Sequence, residues 1–350
     1  MALRKDIGGG LSFVLAALEG GSALERAEAS QQLDRLSLQR SDASVLVDAF
    51  HRATERLARS PRDLRAQERD ELTRAPLARA LQRLGPEAAA ALPELVDAIG
   101  HAGAEVSDAA VLAVEAIGPE TTVALLLARL SDERADQRRQ AARALRDLCF
   151  TFEPRLAYAR AQGDPSLGPR CLLSLLDAAP ELARAAARPE IRITVLSVLG
   201  YLGPSGEEAL AALVRALDEG EEPVRREAAL ALGRWGPGAA AATTSLEGLL
   251  GGPLRGVAAA SLAKIGVARS VGALERALAL PGGTERGAIA QSLERLRPAM
   301  TPIAPPVVLT PTPAAVRAIE AARGIFDPPK PRKKKAGAPK TKAPARKKGP

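Results

Sequence analysis

The sequence predicts an all-α protein: an α-solenoid of about eight stacked helical hairpins, followed by a tail that cannot fold. Three observations carry that prediction. One pattern of apolar and small residues recurs eight times, at spacings mostly near 30–33 residues. The 350 residues are 46% hydrophobic but only 2% aromatic, with one Trp, two Tyr and five Phe, too few rings for a ring-packed β-sandwich or barrel. The charge is unevenly placed. Residues 328–350 carry eight Lys and two Arg with no acid, and taking those ten from the net +8 leaves −2 for residues 1–327.

The clearest copy of the repeat runs from Val224 to Pro237, Val-Arg-Arg-Glu-Ala-Ala-Leu-Ala-Leu-Gly-Arg-Trp-Gly-Pro. Its relatives begin at Ile191-Arg192 and Leu254-Arg255 and close on Leu202-Gly203-Pro204 and Ile265-Gly266. Upstream, Arg83-Leu84-Gly85-Pro86 and Ala116-Ile117-Gly118-Pro119 lie 33 residues apart, and weaker copies start near Arg26, Arg138 and Arg286. Counting Val224 as position 0, apolar residues fall at 0, 4, 5, 8 and 11, which is one face of a helix. The small residues at 4 and 5 let neighbouring helices approach, and the terminal Gly suits a left-handed cap before a Pro that blocks continuation. A second apolar segment follows each copy: Ala90–Ile99, Val123–Leu130, Ala209–Leu217, Thr243–Leu250 and Val271–Leu280. One such helix–turn–helix unit cannot bury its own apolar faces, so the units must stack.

The Val-Arg-x-x-Ala-Ala-x-x-Leu-Gly-x-x-Gly pattern at 224–236 resembles the HEAT repeat, and more narrowly its short phycobilin lyase-like variety, from about Leu11 to Arg297. The resemblance implies a right-handed α-α superhelix. It implies no single activity, because that fold hosts scaffolds, chromophore lyases, a hydroxylase and DNA glycosylases. The hydroxylase would need His-Glu pairs, yet His51 precedes Arg52 and His101 precedes Ala102. A glycosylase would need an aromatic cleft with a carboxylate, and Trp235 holds a core position of its repeat. Gly8-Gly9-Gly10 lacks the Lys-Ser/Thr of a phosphate loop. Cys149, in place of a terminal Gly, and Cys171 read as small core residues. Neither a cofactor nor a metal site is expected.

Aligning the copies brings one column onto arginine: Arg26, Arg74, Arg138, Arg192, Arg225, Arg255 and Arg286, with Ser107 the exception. One reading is a row of guanidiniums for an acidic partner or phosphates. The other, favoured by the neutral body, is structural. The resemblance implies that such an arginine reaches an acid in the turn of an adjoining unit, and Asp132 and Glu219 stand six residues before Arg138 and Arg225. A second column, Arg35, Arg83, Arg234, Lys264 and Arg295, interrupted by Ala116, Asp147 and Tyr201, reads as a solvated face. The period breaks over 149–190. That irregular insertion holds Phe150, Phe152 and Tyr158 and reads either as a binding loop or as a degenerate repeat with its rings in the core.

Residues 1–297 are therefore expected to form the solenoid and 298–312 a Pro-rich linker. A short helix over 313–326, with Thr312 as N-cap and Gly324 as C-cap, would either cap the last repeat or bind a partner. Residues 327–350 lack bulky apolar side chains and are expected to be disordered. Their cations, Lys330, Arg332, Lys333, Lys334, Lys335, Lys340, Lys342, Arg346, Lys347 and Lys348, resemble histone-tail-like basic segments. They suit non-specific polyanion binding by counterion release: nucleic acid first, with anionic membrane or acidic protein as rivals. No aromatic interleaves them, so base stacking is not expected there. No run approaches a membrane span, and the charges at Asp6, Glu25, Arg26 and Glu28 spoil a leader pattern, so a cytoplasmic protein is expected, with the nucleoid as one place its tail could take it. The expected function is a non-catalytic scaffold whose concave face, lined by the second helix of each unit, holds a protein or peptide while the tail holds nucleic acid or another polyanion. A chromophore-lyase-type or other accessory enzyme of the short-HEAT kind is the alternative.

Overall fold

A computed structural model describes residues 7–59, 64–100, 103–280 and 285–297. These lie in a compact unit that spans 1–300, and the linker, the short helix and the basic tail expected beyond it fall outside the described residues. The described residues are helical, with no strand among them. In chain order the helices are α1 (Ile7–Gly20), α2 (Ala23–Arg35), α3 (Ala43–Arg59), α4 (Leu64–Leu84), α5 (Leu92–Ala98), α6 (Ala104–Ile117), α7 (Pro119–Leu130) and α8 (Ala135–Gln162). They continue as α9 (Arg170–Asp177), α10 (Ala179–Ala185), α11 (Arg192–Leu202), α12 (Glu207–Glu219), α13 (Glu222–Trp235), α14 (Thr243–Gly248), α15 (Arg255–Ile265), α16 (Val271–Ala279) and α17 (Arg286–Leu296).

The repeat pattern marks α2, α4, α6, α8, α11, α13, α15 and α17, the first helices of eight units. Consecutive first helices pack side by side into one layer, and the intervening second helices form the other. The protein is an all-α solenoid. Its core runs between the layers, with Leu77, Leu81, Leu95, Leu126, Leu145, Leu172, Leu199, Leu213, Leu232, Leu246 and Leu262 fully buried. Each such leucine contributes roughly 1.5–3 kcal/mol relative to exposure.

The two layers are not equally tight. α11 meets α13, and α13 meets α15, more intimately than the second helices α12 and α14 meet each other. Small residues make this possible. A Cβ added at Gly200 would lie 2.8 Å from the Cβ of Ala231, and one added at Gly233 would lie 2.8 Å from the Ser261 hydroxyl. The backbones thus pack almost directly against each other. Ser261 also donates to the Ala229 carbonyl at 2.7 Å, and the Trp235 indole donates to the Leu199 carbonyl at 2.8 Å.

The helix ends follow the sequence only in part. Gly203, Gly236 and Gly266 close their first helices with φ of 68°, 58° and 79°. Only Gly266 adopts the left-handed helical cap, since Gly203 and Gly236 combine positive φ with ψ of −160° and −136°. Gly118 is extended at φ −167°, so the expected left-handed cap is absent there. α6 and α7 are jointly long and apolar enough for a span but bend by 118°, and no single described helix is long and apolar enough to cross a membrane.

The largest departure is at 149–190. Where other units carry the terminal Gly, Cys149 stands in its place, and a residue with a Cβ has no easy route into the left-handed turn. α8 therefore continues past Cys149 to Gln162, through Pro154, and ends at Gly163 with φ 66° and ψ 19°. Asp164 then caps the short turn at Ser166, and two brief helices, α9 and α10, replace the usual single second helix. The backbone amides that open α9 are held from another unit: Glu115 of α6 accepts from the N–H groups of Arg170 and Cys171 at 2.7 and 2.9 Å. The segment is a folded extension of a repeat rather than a loop.

Candidate interaction surfaces

The arginine column occupies one register position at the start of each first helix, and the structure gives its members different partners. Arg26 is buried and donates to the Leu18 carbonyl at 3.0 Å, near the C-terminal end of α1. Arg192 donates to the carbonyls of Ala186 and Ala187 at 3.1 and 3.0 Å, just past the end of α10. Arg138 does the same with Asp132 and Glu133 beyond α7, at 2.8 and 2.7 Å. These guanidiniums fill the orphan carbonyls where the preceding helix ends.

The acids enter differently from the sequence expectation. Asp132, six residues before Arg138, offers its backbone carbonyl to it; its carboxylate accepts from the Arg134 amide at 2.8 Å. The carboxylate that meets Arg138 is Glu190, in the turn of the next unit, at 2.7 Å from Nε. Arg255 meets Glu285, again one unit on, at 2.7 Å. The Glu190 carboxyl is held below the usual carboxylate range, first by a backbone N–H and then by Arg138. Arg74 is only 4% exposed. Arg225 is half-buried, with its Nε lacking a hydrogen-bond partner, and Arg286 is exposed at the end of the row. The geometry ties units together and does not leave an open line of cations.

The second column is likewise not uniformly solvated. Arg83 donates to the carbonyls of Leu33, Asp34 and Leu36 where α2 ends, at 2.6–3.1 Å. Arg234 lies 4.4 Å over the Tyr201 ring and pairs with Glu227 at 3.1 Å.

Two surfaces stand out. The first is a groove of about 690 Å³ between α10 and α12 on the second-helix side. Ala183, Ala187, Ala211 and Ala212 line it, and Arg184, Arg215, Glu208 and Glu219 also stand in its walls. The second is the outer side of α8. Phe150 is 66% exposed and Tyr158 57% exposed, while Phe152 between them is buried. The expectation that these rings fill the core thus holds for Phe152 alone. Phe150 stands edge-on to Tyr201, at 5.8 Å between centroids and 76° between planes, so a row Phe150–Tyr201–Arg234 crosses α8, α11 and α13. The sequence signal for this surface was the missing Gly at 149: extending the helical period through it places Phe150 on the same exposed side as Arg139, Arg143 and Arg146.

Both cysteines are buried and free, and burial pushes their thiols well above the ordinary range. His51 is exposed and donates from Nδ1 to the Glu94 carboxylate, 2.5 Å away, which raises its pKa first through that hydrogen bond. His101 and all ten tail cations lie outside the described residues. Among the described residues, no three His, Cys, Asp or Glu side chains gather as metal ligands would.

No curated protein matches this chain. Solved structures align with it over most of its length, two of them as follows. One is a crystal structure of an engineered protein, at 18% identity and TM-score 0.29, covering 82% of this chain and 96% of that one. The other is human deoxyhypusine hydroxylase in complex with glycerol, at 20% identity and TM-score 0.30, covering 83% and 97%. The sequence itself matches the family model described as HEAT repeats at residues 62–146 and 176–260. Those two stretches take in α4 to the first part of α8 and α10 to part of α15, and they carry HEAT repeats.

Proposed function

We propose that this protein is a non-catalytic interaction scaffold of short HEAT-type units, whose basic tail tethers it to nucleic acid in the cytoplasm. The layout proposed with it is a solenoid to 297, a linker over 298–312, a short helix over 313–326 and the tail from 327. The observation that carries the scaffold reading is the exposed aromatic row on the first-helix layer. Two rings, Phe150 and Tyr201, continued by Arg234 across three neighbouring first helices, suit protein recognition. The tighter packing of first helices supports placing the inner, concave face on their side, because a two-layer stack bends toward its more closely spaced layer. That moves the proposed binding face from the second helices, where the sequence had put it, to the first. The tail reading rests on charge alone: ten cations and no acid over residues 328–350.

Duplex DNA binding across a salt series tests the tail. The full-length protein is compared with a full-length variant carrying all ten tail Lys and Arg as Gln. The expected result is binding by the first alone, weakening steeply with salt. Negligible binding by both removes nucleic acid as the tail's partner. Equal, strong binding moves the polyanion site into the arginine-rich body.

A further inference from the structure

The outer side of α8 is built for a particular kind of partner. At 100° per residue, Arg139, Arg143, Arg146 and Phe150 fall within one narrow stripe, and all four are exposed. α8 carries six arginines against three acids. Four of the six have work inside the molecule. Arg138 holds Glu190, Arg155 donates to the Leu167 carbonyl, Arg160 donates to the Leu202 carbonyl, and Arg146 pairs with Asp147 at 3.0 Å. Among the described residues, Arg139 and Arg143 have no carboxylate within ion-pair distance, so they leave positive charge on the stripe.

Phe150 sharpens the picture. In a chain with only five Phe and two Tyr, a ring left 66% exposed forgoes burial worth roughly 2 kcal/mol. It is also held in place, edge-on to Tyr201, whose ring is covered by Arg234. A pre-positioned ring that shares one stripe with two unpaired guanidiniums is the composition of a binding hot spot.

We infer that this stripe docks an acidic protein segment in which two carboxylates, two residues apart, are followed two residues later by a large apolar side chain. This rests on the scaffold reading above and names its partner. Alternate side chains on an extended segment lie about 7 Å apart. Arginines one helical turn apart lie about 6 Å apart. Arg139 and Arg143 take the two carboxylates, Arg146 stays with Asp147, and Phe150 lies about 10 Å beyond Arg143, within reach of a long apolar side chain two residues further on. A nucleic-acid strand fits less well, because the cationic row is short and is bordered by Asp136, Asp147 and Glu153. The alanine groove between α10 and α12 is the weaker surface: its lining carries both arginines and glutamates, and it offers no large apolar anchor.

The test is selection of a random 12-residue peptide library displayed on phage against the full-length protein. The selected peptides are then measured against three full-length variants: Arg143→Glu, Phe150→Ala and Ala212→Trp, which fills the groove. All three change surface positions, and matched thermal unfolding verifies the fold. The expected outcome is enrichment of acid-x-acid-x-apolar peptides whose affinity falls about tenfold or more with Arg143→Glu and with Phe150→Ala and stays unchanged with Ala212→Trp. Peptides that lack acids, or that bind both stripe variants as well as the unaltered protein, overturn the docking surface and leave the scaffold reading in place. Failure to enrich any peptide counts against both. A 20-nucleotide single-stranded RNA that binds the unaltered protein but not the two stripe variants gives the surface to nucleic acid and overturns the proposal.

Discussion

The units from α11 to α15 and the unit built on α8 start from the same pattern and end differently. In the former, Gly203, Gly236 and Gly266 turn the chain at position 12 through positive φ, and a second helix returns at once. In the latter, Cys149 occupies that position, the helix runs on to Gln162, and the return is split into α9 and α10. The packing differs in step. α11, α13 and α15 touch through Gly200, Ala231, Gly233 and Ser261, and little of that surface is left exposed. α8 presents arginines and a phenylalanine at the corresponding side. Regularity here means glycine at the turn and small residues at the contact. Losing the glycine lengthened a helix and left a surface that the regular units lack.

The largest expected effect lies at the regular contact. Gly200→Val places a side chain where even a Cβ would lie 2.9 Å from the Ala231 backbone, which should lower stability by about 3 kcal/mol. Gly287→Ala in α17 is the control. Nothing lies within 4 Å of its added Cβ, so helix propensity alone should raise stability by about 0.5 kcal/mol. Chemical denaturation measures both, and equal effects would mean that the first-helix layer is not closely packed.

The arginine ties come next. Arg192→Ala leaves two helix-end carbonyls without their donor and should cost about 1.5 kcal/mol. Arg138→Ala should cost more at neutral pH, because it also removes the partner of Glu190. The pH dependence has a definite sign. The Glu190 carboxyl is depressed in the folded protein, so its contribution is complete above the ordinary carboxylate range and is lost as pH falls through the depressed value. The gap between the two variants should therefore narrow in acid. A gap that does not change with pH would mean that Glu190 adds nothing to the tie.

The last substitution probes the break in the repeat. Cys149→Gly restores the residue used elsewhere and should cost about 1.5 kcal/mol, since a glycine inside a formed helix loses more conformational freedom than a residue with a Cβ and a fully buried side chain is removed. Its sharper readout is hydrogen exchange. Amides over residues 150–162 should exchange faster than those of α11 and α13. Unchanged protection would show that contacts such as Arg160 to the Leu202 carbonyl hold the extension without help from residue 149.

Much of this could be read from the chain alone, and the reason is local. A helix of the repeat is specified by apolar spacing within a dozen residues, so α4, α6, α11, α13, α15 and their partners stand where the pattern puts them. The missing glycine at 149 was also visible, but its consequence was not. Whether a helix continues past a turn signal depends on what its next turns can bury, and Phe152, Leu156 and Ala159 are buried.

The sequence by itself determined an all-α repeat array, its near-neutral body and its basic end, because composition, period and charge are properties of the chain in order. Tertiary structure decided the rest. It chose carbonyl ends as well as carboxylates as the arginine partners, sent Glu115 to cap a helix 55 residues away, and left Phe150 outside while Phe152 went in. Those outcomes depend on which groups meet across units, and a repeat's own residues do not encode the distance to a neighbour that has yet to pack.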